Sequence, residues 1–266
     1  MDYRWPDGSL SPFAYIGANM LTLEPFYRTV LGKAPTTVAA WAPSDDADCV
    51  LWLAASNVDS PTQGNFVTTW TDNSGQSNDV TQTSEALKPT YELNGAIPVV
   101  RFDGSDKLQA ASAVYDLTKK MSFFVVASRR ITQTAALLGT LAGSAGRLWH
   151  FRLVSTQRNV LLVNGSGYDY PVTTIADDTM ATYSCDVLGY NGNLGTHSMR
   201  EDGSEIFNNF ETAPSTTNDG NFAVGAAYNN NYAFDGDIAD VIVINREADA
   251  DLYTNISEYW SATYGL

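Results

Sequence analysis

The chain is poor in residues that bind metals or carry thiol chemistry: among 266 residues there are two cysteines and two histidines. Cys49 and Cys185 are too few for a disulfide-dense scaffold or a Cys-rich zinc site. They fit two buried free thiols, with a single bridge between them as the alternative. Basic residues are also scarce. The chain has 15 Lys+Arg against 30 Asp+Glu, a formal charge of −15. Nucleic acid and anionic membranes both need a basic footprint, so neither is an expected partner. No apolar run approaches the roughly 20 residues of a membrane span. Met1 to Pro6 opens polar, without the apolar centre of a signal peptide. Taking Met1 as the start, this predicts a product that does not use the standard secretory route. Catalytic motifs are missing too. There is no G-x-S-x-G elbow, phosphate-binding loop or G-x-G-x-x-G. A Ser-His-Asp site would have to use His150 or His197, and neither has a telling neighbour.

What is present is ample core material, 44 % apolar and 12 % aromatic. Five of the ten prolines fall in the first 45 residues (Pro6, Pro12, Pro25, Pro35 and Pro43). This predicts an extended arm over 1–45, with a short helix over 25–31 that starts on Pro25 and stops at Gly32. The arm packs on its own domain or docks on a partner. In the second case Trp5, Phe13, Tyr15, Phe26 and Tyr27 are the candidate anchors.

From residue 46 to 266 the texture is β. Ser122 to Ser128 is nearly all apolar and suits a central strand covered on both faces. In the segment 147–154, Trp149, Phe151 and Leu153 should face inward, with His150 and Arg152 on the other face. Ala181, Tyr183, Cys185 and Val187 alternate with Thr182, Ser184 and Asp186, which predicts one buried and one solvated face. Asp202-Gly203 reads as a hairpin turn. Further strands are expected at 49–53, 98–102, 222–226 and 238–244. Only the end is helical: Leu252, Ile256, Tyr259, Trp260 and Thr263 share one face. Short strands without intervening helices predict an antiparallel sandwich.

Four segments then resemble a known family. Trp70 to Gly75, followed by Asn78-Asp79 and Pro89, resembles an early loop of laminin-G-like, concanavalin A-like jelly-roll domains. Val100-Arg101-Phe102-Asp103-Gly104 resembles the next strand and turn. Phe234 to Val243 resembles the closing strand, and the final helix ending Tyr264-Gly265 is also typical. The resemblance implies an all-β concanavalin A-like jelly-roll sandwich over 46–266, preceded by the extended arm and closed by the C-terminal helix. It implies no single function, since the fold hosts lectins, enzymes, adhesion modules and virion proteins. Trp70 and Phe102 should supply core area. Gly75, Gly104 and Gly236 should permit turns or close backbone approach.

The glucanases of this fold carry E-x-D-x-x-E on a strand, with alternating carboxylates flanking the sugar bond. That motif is absent, and the nearest acidic strand residues are Asp237 and Asp240. Oxygen clusters that calcium could use are Asp72, Asn73, Asn78 and Asp79, then Asp103 with Asp106, then Asp235 with Asp237. Solvated turns explain them equally well, and no metal or cofactor is assigned. Loop tyrosines beside Asn and Gly suit sugar stacking, and Tyr190, Tyr228 and Tyr232 are the candidate glycan-binding residues.

The expectation is a non-enzymatic virion structural protein: a capsid decoration, head fibre or tail component of a phage. Its partners would be capsid or tail proteins of the same virion, copies of itself in a homo-oligomer and a host-surface glycan. The alternative is a cell-surface or secreted carbohydrate-binding module of a bacterium. A hydrolase or lyase on the same scaffold is disfavoured by the absent carboxylate motif.

Overall fold

The computed structural model describes residues 40–112, 114, 120–131, 134–140, 150–154, 157–161, 170–171, 178–187, 195–212, 220–227 and 232–266. The expected arm up to residue 39, with its helix over 25–31, lies outside them. The strands are β1 (Cys49–Ala54), β2 (Thr69–Trp70), β3 (Val80–Thr81), β4 (Thr90–Asn94), β5 (Ile97–Asp103), β6 (Leu108–Ala110), β7 (Met121–Arg129) and β8 (Ala135–Thr140). They continue with β9 (His150–Val154), β10 (Gln157–Leu161), β11 (Tyr170–Pro171), β12 (Ala181–Val187), β13 (Gly195–Glu201), β14 (Ser204–Thr212), β15 (Phe222–Val224) and β16 (Asp235–Ile244). Helix α1 (Ala250–Tyr264) closes the chain.

The strands form two antiparallel sheets. The first runs β14-β13-β12-β7-β16-β5-β4, with β1 also paired to β16; the second runs β11-β10-β9-β8-β15-β6-β3-β2. Strands distant in sequence lie side by side, as β7 does with β16, which is the strand order of a sandwich rather than a meander. The expected all-β sandwich with a C-terminal helix is therefore present.

β7 explains the layering. Phe123, Val125 and Ala127 point into the core between the sheets, while Phe124 and Val126 point to a second apolar layer under α1. Both faces are covered, so every residue of the strand is buried and the sequence need not alternate. α1 fills that outer layer with Leu252, Ile256 and Trp260, each burial contributing roughly 1.5–3 kcal/mol. Asp249 caps the helix by accepting the Leu252 amide at 2.8 Å, and Gly265 ends it in the left-handed region at φ 74°. Trp41 packs against the same layer, and Arg246 ties the entering chain to the helix start through Asp46 at 2.7 Å and Asp249 at 3.1 Å.

The helix also corrects one expectation. Ser184 and Asp186 were expected on a solvated face of β12, yet they are only 6 % and 5 % exposed. Asp186 is roofed by α1, accepting from the Tyr253 hydroxyl as well as from Ser122 and Ser198. A period-two pattern reports which side chains face one sheet. It does not report what covers the other side.

The remaining fold residues act as expected. Trp70 is fully buried and donates its Nε1 to the Ala54 carbonyl at 2.8 Å. Phe102 packs on Phe234. At Gly236 a Cβ would lie 2.3 Å from the Ser128 carbonyl oxygen of β7, so only glycine lets these strands close. The β13–β14 hairpin turns on Asp202 and Gly203, at φ 46° and 72°. Cys49 and Cys185 are both free and buried, which settles the open question of a bridge between them.

Candidate functional site

The sandwich rim holds a cavity of about 410 Å³ built from five separate segments. The end of β5 supplies Arg101 and Asp103, and the turn after it supplies Asp106. The approach to β4 supplies Glu85 and Lys88, and Thr90 is the first residue of β4 itself. Arg130 follows β7, and Phe66 comes from the loop before β2. The size suits one or two sugar rings.

Phe66 is the unusual wall. It is 53 % exposed, the one exposed aromatic among residues whose side chains are described. Its loop is laced to β4: the Gly64 amide donates to the Tyr91 carbonyl at 2.9 Å, the Tyr91 amide donates to the Asn65 carbonyl at 2.9 Å, Phe66 bridges to Thr90, and Val67 donates to the Pro89 carbonyl at 2.8 Å. Val67, next in sequence, is fully buried. The ring is thus held out to solvent by a fixed backbone, and exposure of an aromatic on a rigid frame marks a contact surface.

The polar walls are equally fixed. Arg101 grips Asp237 through Nε at 2.7 Å and Nη2 at 2.9 Å, and this bond raises the guanidinium further above its usual range. Arg130 Nε stands 3.3 Å from Asp235. Lys88 makes no ion pair among the described residues. Asp103 accepts from the Ser105 amide at 2.8 Å and its hydroxyl at 2.7 Å. Burial pushes Asp103 up, but the bonds from Ser105 and Asp106 outweigh it and hold the group below the usual carboxylate range. Asp106 accepts the Asp103 amide at 3.0 Å, and burial, helped by the Asp103 charge, pushes it up to about 7. The two neighbouring carboxyls are thus driven apart, one ionised and one protonated below neutral pH.

Of the expected glycan-binding tyrosines, Tyr190 and Tyr228 lie outside the described residues. Tyr232 is half-buried beside the outer side of β9, with the Arg152 guanidinium 5.1 Å from its ring centre and the His150 ring at 5.4 Å. One face of the ring is therefore occupied by a cation. Burial, with the charge of Arg152, holds His150 down to about 3, so its imidazole is neutral. The expected anchors Trp5, Phe13, Tyr15, Phe26 and Tyr27 are likewise outside the described residues. A second cavity, about 310 Å³, lies between α1 and β12–β13, where Arg200 stacks on Tyr253 at 4.2 Å. Its aromatics are buried or half-buried.

The acidic turns weighed for calcium are committed to the fold. Asp72 accepts from the amides of Trp52, Ser74 and Asn78 and from the Ser74 hydroxyl, while Asp79 accepts the Asp72 amide. Sequence reasoning missed Phe66 altogether. The available signal was a lone aromatic at the end of the polar stretch Ser60-Pro61-Thr62-Gln63-Gly64-Asn65.

No protein-family model and no curated protein matches the chain. Solved structures match it by fold. A Trypanosoma rangeli sialidase, solved in complex with sialic acid, aligns with TM-score 0.56 and 14 % identity over 80 % of this chain and 33 % of its own. This chain therefore spans about a third of the sialidase. Domain 4 of AbnA, a GH43 extracellular arabinanase from Geobacillus stearothermophilus, solved with arabinotriose, aligns with TM-score 0.51 and 14 % identity over 79 % of this chain and 98 % of that domain. A GH54 α-L-arabinofuranosidase aligns with TM-score 0.56 and 12 % identity over 82 % and 65 %.

These matches establish the β-sandwich fold and overturn one expectation. The chain was expected to be non-enzymatic, yet these three structures that share its fold are two glycosidases and a glycosidase domain. The physical reason is simple. The absent E-x-D-x-x-E spacing excludes one way of lining up carboxylates on a single strand, and a sandwich can assemble acids from several strands and turns. None of these three neighbours is a virion protein, so the virion role expected from the sequence draws no support from them.

Proposed function

We propose that the sandwich binds glycans in the rim cavity, as the carbohydrate-binding domain that stood as the alternative reading of the sequence. The observation that carries this is Phe66: an exposed ring on a fixed loop, on the wall of a cavity whose other walls are charged. A flat ring covers the apolar C–H face of a sugar. Guanidinium, ammonium and carboxylate groups around it bond the hydroxyls at the sugar's edge. The fold match to a domain solved with arabinotriose supports the same reading, because this chain spans nearly the whole of that domain.

The test is calorimetric titration of the full chain with a panel of oligosaccharides that includes arabinotriose, repeated on Phe66→Ala. Stacking contributes about 1–1.5 kcal/mol, so the variant should bind about five- to tenfold more weakly. Its melting temperature should hold, since the side chain is largely solvated. Absence of binding to every member of the panel, or equal binding by Phe66→Ala, overturns the proposal.

A further inference from the structure

The rim cavity gathers cations on an acidic chain. Three of the 15 basic residues, Lys88, Arg101 and Arg130, line one cavity of a protein that carries 30 acids. Building on the glycan-binding reading, we propose that the cavity selects acidic sugars: Lys88 and the free edges of Arg101 and Arg130 hold the sugar carboxylate while the ring lies on Phe66.

The placement of the acids supports this choice. Asp237, the partner of Arg101, is 1 % exposed, and Asp235, the neighbour of Arg130, is 8 % exposed. Both carboxylates are buried, whereas the two arginine side chains are 30 % and 37 % exposed. The Asp237 pair uses Nε and Nη2 of Arg101, leaving Nη1 uncommitted by that carboxylate. The planar edge of a guanidinium matches a carboxylate in a way that a sugar hydroxyl does not. Asp103 spends its Oδ1 on the Ser105 amide and hydroxyl, and Asp106 holds the Asp103 amide. Both serve their own turn. Asp106 is also protonated below about pH 7, which lowers the negative charge of that wall. Glu85 is exposed at the lip. Lys88, half-buried and without an ion pair among the described residues, is the cation with most to gain from an incoming carboxylate.

The experiment titrates the full chain with trigalacturonate and with the same trisaccharide after its carboxylates are reduced to alcohols. One charge-assisted contact is worth at least about tenfold in affinity, so the acid should bind at least that much more tightly. The preference should collapse at about 1 M salt, where the screening length falls to about 3 Å. Lys88→Gln should remove most of the preference, weakening the acid far more than the reduced sugar, whereas Phe66→Ala should weaken both alike. Equal binding of the two trisaccharides, or an unchanged preference in Lys88→Gln, overturns the acidic-sugar proposal and leaves glycan binding standing. If neither trisaccharide binds and the neutral panel also fails, both proposals fall. If neutral sugars alone bind, only this one does.

Discussion

Asp240 allows a prediction that tests the packing of α1 directly. It lies in β16, wholly buried under the helix, and accepts from Trp260 Nε1 at 3.3 Å and the Tyr264 hydroxyl at 3.1 Å. Burial pushes its carboxyl from the ordinary 3.8 up to about 7, against hydrogen bonds from Tyr259, Tyr264 and Trp260 that pull it down. Between those two values the folded chain keeps a proton that the unfolded chain has released. The resulting stability is fully present below about pH 4 and is lost as pH rises toward 7. At about 1.36 kcal/mol per pH unit, the contribution has a ceiling of roughly 4 kcal/mol. Asp240→Asn removes the ionisation and keeps one acceptor, at a cost of about 1 kcal/mol for a lost hydrogen bond. Urea unfolding followed by tryptophan fluorescence should therefore find the variant slightly weaker at about pH 3.5 and more stable, by about 1–3 kcal/mol, at about pH 8. Asp106 and His150 also titrate in the folded state, but both are shared by the two proteins and cancel in the difference. Parallel stability curves for wild type and variant across this interval would refute the reasoning.

Two further predictions concern the core. Both thiols are buried; burial pushes Cys49 up to about 12 and Cys185 well above its usual range. A thiol reagent at neutral pH should therefore modify neither in the folded protein and both in denaturant, as counted by absorbance. Gly236→Ala puts a Cβ 2.3 Å from the Ser128 carbonyl oxygen and 2.5 Å from the Phe234 ring, at the junction of β5, β16 and β7. It should cost about 3 kcal/mol. Gly95→Ala, at φ 64° with nothing within 4 Å, should cost only the left-handed penalty of about 1 kcal/mol. Equal melting temperatures for the two variants would show that close approach is not what holds residue 236 as glycine.

The sandwich was legible because its signals are local. The apolar run of β7, the alternation in β9 and β12, the Asp202-Gly203 turn and the Leu252–Ile256–Trp260 face each sit within one element. In each case hydrophobic period and turn chemistry select the same structure. Misreading began where a second layer intervened. Nothing inside 181–187 says that a helix some 60 residues later will roof Asp186, so its polar side chain passed for a solvated one. It is tolerated there because Ser122, Ser198 and Tyr253 satisfy it.

The candidate site failed to show in the sequence for a related reason. Phe66, Lys88, Arg101, Asp106 and Arg130 belong to different segments, and no spacing rule connects them. Single loop tyrosines attracted attention because their neighbours were Asn and Gly, but that composition marks loops in general. The one such tyrosine the structure describes, Tyr232, turns out to be stacked with Arg152. A sharper criterion is an aromatic that the backbone forces outward although its own neighbour is fully buried, as Phe66 is beside Val67. The same logic applies to the missing glucanase motif. A linear spacing can only test for a site built on one strand, and this cavity is built on none: its cations and acids converge because the ends of β5 and β7 and the entry to β4 meet at one edge of the sandwich.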